Sequence, residues 1–176
     1  MTVRTTMANV ISRLRRMVGD PAGTTQTWSD QELQDMLDEH RTDGRYVELE
    51  PLETIAAGGA STYLTYICTD VPWEEGATLT DGSYNALTPA TAEPLFGRWT
   101  FAAHQEAPVL VTGAVFEMNG AAADVLEAWA ARLAREFDFS ADGASFSRGQ
   151  QMAALKTLAS SYRAMTPVQS AAVRVE

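Results

Sequence analysis

Residues 28–50, WSDQELQDMLDEHRTDGRYVELE, contain the switch on which the fold turns. In the first half, Leu33, Met36 and Leu37 recur at helical spacing. The start is marked chemically. Ser29 can cap the N–H of Glu32 while the Glu32 side chain returns to the Ser29 backbone, and Trp28 and Leu33 are placed as a hydrophobic staple. These signals predict a helix over 30–42 that buries Leu33, Met36, Leu37 and His40 and turns Asp35, Asp38 and Glu39 outward. Near Gly44 the period changes. Tyr46-Val47-Glu48-Leu49-Glu50 alternates as a half-buried strand does, and Pro51 is expected to end it.

Upstream, Met7, Val10, Ile11, Leu14 and Val18 form one stripe of a first helix, begun at Thr5 or Thr6 and ended by Gly19-Asp20-Pro21. Arg13, Arg15 and Arg16 fall in its last turns, where cations suit the dipole; they read as surface salt bridging or a subunit contact. A loop over 22–27 follows. Far downstream, Asn119 is a good N-cap for a third helix to about Phe137, with Ala122, Leu126, Trp129, Leu133 and Phe137 as its core stripe. Its many alanines leave a thin surface that another helix or subunit can approach. Ser140-Ala141-Asp142-Gly143 reads as a turn, and Ser147 with Gln150 as a second capping box. Helix four, about 148–165, carries Met152, Leu155, Leu158, Ala159, Tyr162 and Met165, and Pro167 stops it. Past it, Val173-Arg174-Val175 has the pattern of a strand that can add to a partner.

Between the helices, residues 44–117 read as β-structure. Strands are expected at 46–50, 63–68, 76–80, 97–101 and 109–113, the last two as a hairpin around 104–108, with Val115-Phe116-Glu117 extending the second. The expected fold is therefore α+β. Both chain ends supply an antiparallel four-helix body (1–43 and 118–165), a small antiparallel sheet or barrel is inserted between helices two and three, and 166–176 is a docking tail.

The charge follows the same division. The 176 residues carry 13 basic and 23 acidic side chains, a formal charge of −10. Residues 44–117 hold only Arg45 and Arg98 against ten carboxylates, a net of −8. That balance argues against broad affinity for nucleic-acid phosphates, which rests on clustered Lys and Arg. No apolar run approaches a bilayer span and no leader pattern opens the sequence, so no membrane association is expected. The single cysteine, Cys68, excludes an internal disulfide framework and suits a reducing cytosol.

Sequence motifs for chemistry are sparse. No phosphate-binding glycine loop, GxSxG, HExxH or paired CxxC occurs. His40 and His104 lie far apart, and with Cys68 they lack zinc-ligand spacing. Glu74, Glu75 and Asp81 read as a solvated acidic face. Adjacent glutamates point to opposite sides of a strand, which disfavours a convergent catalytic pair. Trp73 and Trp99 are candidate interface aromatics, because a small sheet can expose such side chains at a contact. Neither catalytic residues, a cofactor nor a metal is expected.

Three stretches carry a resemblance. Residues 11–19 (ISRLRRMVG) followed by Thr27-Trp28-Ser29-Asp30-Gln31-Glu32-Leu33, then 119–130 (NGAAADVLEAWA), then Phe137-Asp138-Phe139-Ser140-Ala141-Asp142-Gly143 with Ser145-Phe146-Ser147-Arg148, resemble head-to-tail connector (adaptor) proteins of long-tailed bacteriophages and prophages. The likeness covers 7–42 and 119–165. It implies a structural virion protein in the neck, assembled in the host cytoplasm. Such a protein forms a homo-oligomeric ring, commonly of twelve, docks on the portal and receives a tail or stopper protein. Packaged DNA would pass nearby without specific binding. Arg13, Arg15, Arg16, Trp73, Trp99, Val173, Arg174 and Val175 are then the expected partner contacts. The competing expectation is a small ligand- or protein-binding module outside any virion, with the acidic β segment as its binding part.

Overall fold

A computed structural model describes residues 2–55, 59, 61–137 and 145–166. A 3-10 turn at Thr5–Met7 leads into helix α1, Ala8–Val18, which buries Val10, Ile11, Leu14, Arg15 and Val18. Gly19 ends it at φ +72°, a left-handed turn that glycine adopts without a Cβ penalty, and its N–H returns to the Arg15 carbonyl. Helix α2 spans Asp30–Glu39. Its capping box forms as the residue types dictate: Ser29 Oγ accepts from Glu32 N at 3.2 Å, and Ser29 N donates to Glu32 Oε2 at 2.8 Å. Trp28 and Leu33, the staple positions, are both buried. Ser29→Ala removes one half of the reciprocal pair and is expected to cost about 1 kcal/mol in a urea titration. No change in the unfolding midpoint would mean the cap contributes nothing.

Helix α2 is shorter than its sequence suggests, because residues 41–44 already pair in a sheet. Among the described residues eight strands form, where five were expected: β1 Arg41–Glu48, β2 Glu50–Ile55, β3 Ser61–Ile67, β4 Thr78–Asp81, β5 Ala86–Leu87, β6 Thr91–Glu93, β7 Arg98–Thr100 and β8 Val109–Phe116. They make two four-stranded antiparallel sheets, ordered β1-β8-β4-β5 and β2-β3-β7-β6. Pro51 does not end a strand; it sits within β2, an edge strand, where a missing N–H is tolerated. The expected 97–101/109–113 hairpin does not form either. Strand β7 pairs with β3 and β6 while β8 pairs with β1 and β4, so the connection crosses from one sheet to the other. That connection is held to β3 by Phe101 N to Leu64 O (2.8 Å), Gln105 N to Tyr63 O (3.2 Å) and Tyr66 Oη to Gln105 O (2.7 Å).

Leu49, Tyr66, Trp73, Leu79, Trp99, Phe101, Val109 and Val111 form the core of this region, drawn from both sheets and their connections. Tyr66 meets Phe101 edge to face at 5.8 Å, and Trp73 meets Trp99 likewise at 6.2 Å. These aromatics are among the largest side chains the protein buries, and edge-to-face pairs add about 0.5–1.5 kcal/mol beyond burial.

The four-helix body is the expectation that the structure overturns. The chain divides into two compact units, 1–118 and 119–176, so α1 and α2 belong with both sheets. Named contacts explain why. Arg4 donates to both Asp38 carboxylate oxygens on α2 (2.8 and 2.5 Å) and through Nε to Glu74 (3.0 Å) ahead of β4. Thr6 Oγ1 also donates to Glu74, Glu75 N donates to the Thr6 carbonyl, Asn9 donates to the Glu75 side chain, and Arg13 donates to the Leu95 carbonyl (3.1 Å). The apolar stripe of α1 was legible; its polar attachment to the β-region was not.

The second unit holds α3 (Met118–Phe137) from Asn119 onward, together with α4 (Ser145–Met165). They run antiparallel: Arg163 near the end of α4 bonds Asp124 (2.6 Å) and Glu127 (2.9 and 2.8 Å) early on α3. The Arg163 guanidinium holds the Glu127 carboxyl below its ordinary range. Asn119 is inside α3 rather than capping it, and its amide reaches the Met165 carbonyl at 3.5 Å. Helix α4 begins ahead of the expected Ser147–Gln150 box, whose Ser147 side chain lies outside the described residues, as do the Phe137 side chain and the turn at 140–143.

Candidate functional site

The expected partner-contact residues occupy quite different environments. Arg15 is an interior residue. Its Nη1 donates to the Asp20 carboxylate (3.0 Å) and carbonyl (3.1 Å), and its Nη2 to the Trp28 carbonyl and the Asp30 carboxylate (both 2.7 Å). It ties the end of α1 to the start of α2. Asp20 is only 2% exposed and also accepts from the backbone N–H groups of Thr27 (2.7 Å) and Trp28 (3.1 Å). The clue was in the spacing: Arg15 follows Ile11 by four and precedes Val18 by three, so it lies on the buried stripe. Arg13 is half-buried with its guanidinium on Leu95, which leaves Arg16 as the exposed member of the cluster. Arg16 borders a surface cavity of about 470 Å³ beside α1, lined also by Arg4, Ala8, Ile11 and Pro21.

Trp73 and Trp99 are each 1% exposed and offer no aromatic face to a partner. Here too the alternation of Arg98, Trp99, Thr100 and Phe101 placed Trp99 and Phe101 on one side of a strand. Val173, Arg174 and Val175 lie outside the described residues. Glu74 and Glu75 are half-buried and bonded to the N-terminal segment rather than forming a free acidic face. Asp81 organises the β4–β5 turn, accepting from Asn85 Nδ2 (2.9 Å), Asn85 N (2.9 Å) and Ser83 N (2.8 Å), with Asn85 chief in holding its carboxyl below the ordinary range.

Each histidine accepts a backbone N–H, His40 through its main chain and His104 through its ring. The half-buried His40 sends its carbonyl to Glu117 N at 3.0 Å, and the exposed His104 accepts from Tyr63 N through Nδ1 at 3.0 Å. Burial pushes the Cys68 thiol up, which keeps the nucleophilic thiolate scarce near neutrality. No group of three or more metal-ligating side chains forms among the described residues. Within those residues, no helix is long and apolar enough to cross a membrane.

What the first unit leaves on its surface, and sequence reasoning did not single out, is a set of large apolar side chains: Tyr46, Ile55, Tyr84 and Phe96. Phe96 borders a cavity of about 490 Å³ with Glu75, Glu93, Pro94 and Trp73. A shallower one of about 300 Å³ on the first sheet is lined by Arg41, Asp43, Arg45, Thr112 and Ala114. These cavities combine a few charges of both signs with small residues and bring no nucleophile, base and acid together. On the second unit, Leu158 and Met165 are 41% and 64% exposed.

The chain matches no family model, no curated protein and no solved structure.

Proposed function

We propose that this chain is a structural connector of a phage or prophage neck, a ring-forming adaptor that docks on a portal protein and joins the DNA-filled head to a tail or stopper. In this role it performs no catalysis and needs no cofactor. The observation that carries the proposal is the surface of α4. Of its described side chains only Ala159 is buried, while Leu158 and Met165 remain open and Met152, Leu155 and Tyr162 are half-open. An apolar stripe left uncovered in one protomer is the kind of surface that assembly covers. The adaptor-like helix pair supports the same role, since α1, Arg15 and the capped α2 form one tightly bonded unit. The net of −8 over 44–117 suits a protein that DNA passes without adhering.

The test mixes the purified chain with the portal protein of its own phage or prophage and follows it by sedimentation and electron micrographs. The expected result is a ring co-sedimenting with the portal, lost in Leu158→Glu while the circular dichroism spectrum stays unchanged. A protein that remains monomeric with portal present would overturn the proposal and favour the small binding module.

A further inference from the structure

The outer face of the first sheet carries two tyrosine rings that the core does not use. Val109 and Val111 point into the core, so Leu110 and Thr112 face out. Glu48 and Thr80 lie directly opposite Leu110 on the two neighbouring strands and share that face. Strand β1 holds one extra residue here: Gly44 pairs with Gly113, yet Val47 pairs with Val111. In this bulge Tyr46 takes φ +54°, and its N–H donates to Thr112 Oγ1 at 3.0 Å. Across β8, in the turn after β4, Tyr84 takes φ +65° with its N–H on the Asp81 carbonyl. The two rings meet edge to face, centroids 5.0 Å apart at 74°.

Two non-glycine residues in the left-handed region, in contact with each other, are a costly arrangement. Burial does not offset it, because Tyr46 and Tyr84 are 54% and 64% exposed. In an edge-to-face pair, the other ring covers neither face of the ring that presents its edge, and both residues are more than half exposed. Open tyrosine faces attract cations, Glu48 stands on the same surface, and the surrounding sequence holds ten carboxylates against two arginines.

We propose that the Tyr46–Tyr84 pair is the docking site for a cationic protein segment, an arginine or lysine of which lies against an open ring face with its charge toward Glu48. This is independent of the adaptor reading. Arg45, adjoining Tyr46, is the like charge such a segment must tolerate.

The test titrates the full chain with acetyl-(Arg)4-amide at low salt by NMR. Tyr46→Gly and Tyr84→Gly leave the net charge at −10 and suit the left-handed backbone. Each is expected to weaken binding about two- to fivefold, the worth of an exposed cation–π contact, with no fall in Tm. Glu48→Gln is expected to weaken binding too, and Arg45→Ala to tighten it. Unchanged affinity in both glycine variants would overturn the proposal, since diffuse acidity would then hold the peptide. Equal binding of uncharged acetyl-(Ala)4-amide, or self-association of the chain abolished by the glycine variants, would overturn it in favour of an apolar partner or a second copy.

Discussion

Replacing Arg15 by methionine is expected to destabilise the protein by about 3–5 kcal/mol, the cost of breaking a buried ion pair from one side. The size follows from what is left behind. Asp20, 2% exposed, loses its cation and keeps only the N–H groups of Thr27 and Trp28. The Trp28 carbonyl loses its donor as well, and Asp30, 56% exposed, returns to water at little cost. Against a total stability of about 5–15 kcal/mol for a typical protein, such a loss brings unfolding into the range of mild denaturant. Tryptophan fluorescence in a urea series reads it directly. Arg16→Met, on the exposed side of the same turn, is the matched control and should stay within about 0.5 kcal/mol of the parent. Adding Asp20→Asn to Arg15→Met should recover part of the loss, because an amide is cheaper to leave without a cation. If Arg15→Met and Arg16→Met proved equivalent, the buried network would not be what joins the first two helices.

Gly97→Ala is the second large effect, about 2–5 kcal/mol, and its cause is steric. Gly97 turns the chain at φ +60° just before β7, and a Cβ there would press on the Cys68 carbonyl oxygen and stand 2.6 Å from Val71 Cγ1. The backbone cannot retreat easily, since Cys68 N donates to the Gly97 carbonyl at 2.8 Å. The left-handed conformation accounts for about 1–2 kcal/mol and the forced overlap for about 1–3 more. Gly19→Ala separates the two contributions. Gly19 has a similar φ of +72° with nothing within 4 Å of a Cβ, so its loss should be the conformational part alone. Thermal unfolding of both variants gives the comparison; equal losses would remove the crowding argument.

Short-range chemistry was legible in the sequence and pairing was not. Ser29 and Glu32 bond as their types and spacing require, and the α1 stripe is buried where its period puts it. Strands β3, β7 and β8 announced themselves through β-branched and aromatic residues, whereas β5 and β6 are two and three residues long and too short to alternate visibly. The false hairpin and the false four-helix body share one cause. An apolar face says that an element is covered without saying by what, and the answer lay in distant polar residues such as Arg4 and Glu74. Among the expected contact residues, Arg15 and Trp99 are buried in positions their own spacing marks as inward, so a charged or aromatic type misled where periodicity did not; Trp73, buried too, lies between strands β3 and β4 where no period exists. The tyrosine pair stayed hidden for another reason: the left-handed turn at Tyr46 exists only through the register between β1 and β8.

That register also sets the order of events during synthesis. Strand β8 is the last of the eight to leave the ribosome, yet it is the one that β1 and β4 both need, with Arg41 opposite Phe116. Until it emerges, β1 waits with both edges open, and at usual elongation rates that wait lasts several seconds. Arg41, Asp43, Arg45 and Glu48, spaced along β1, are the charges that discourage mispairing with another nascent chain. A message truncated ahead of Val109 would therefore yield a product with its first sheet unclosed, and a target for proteolysis rather than a smaller working protein.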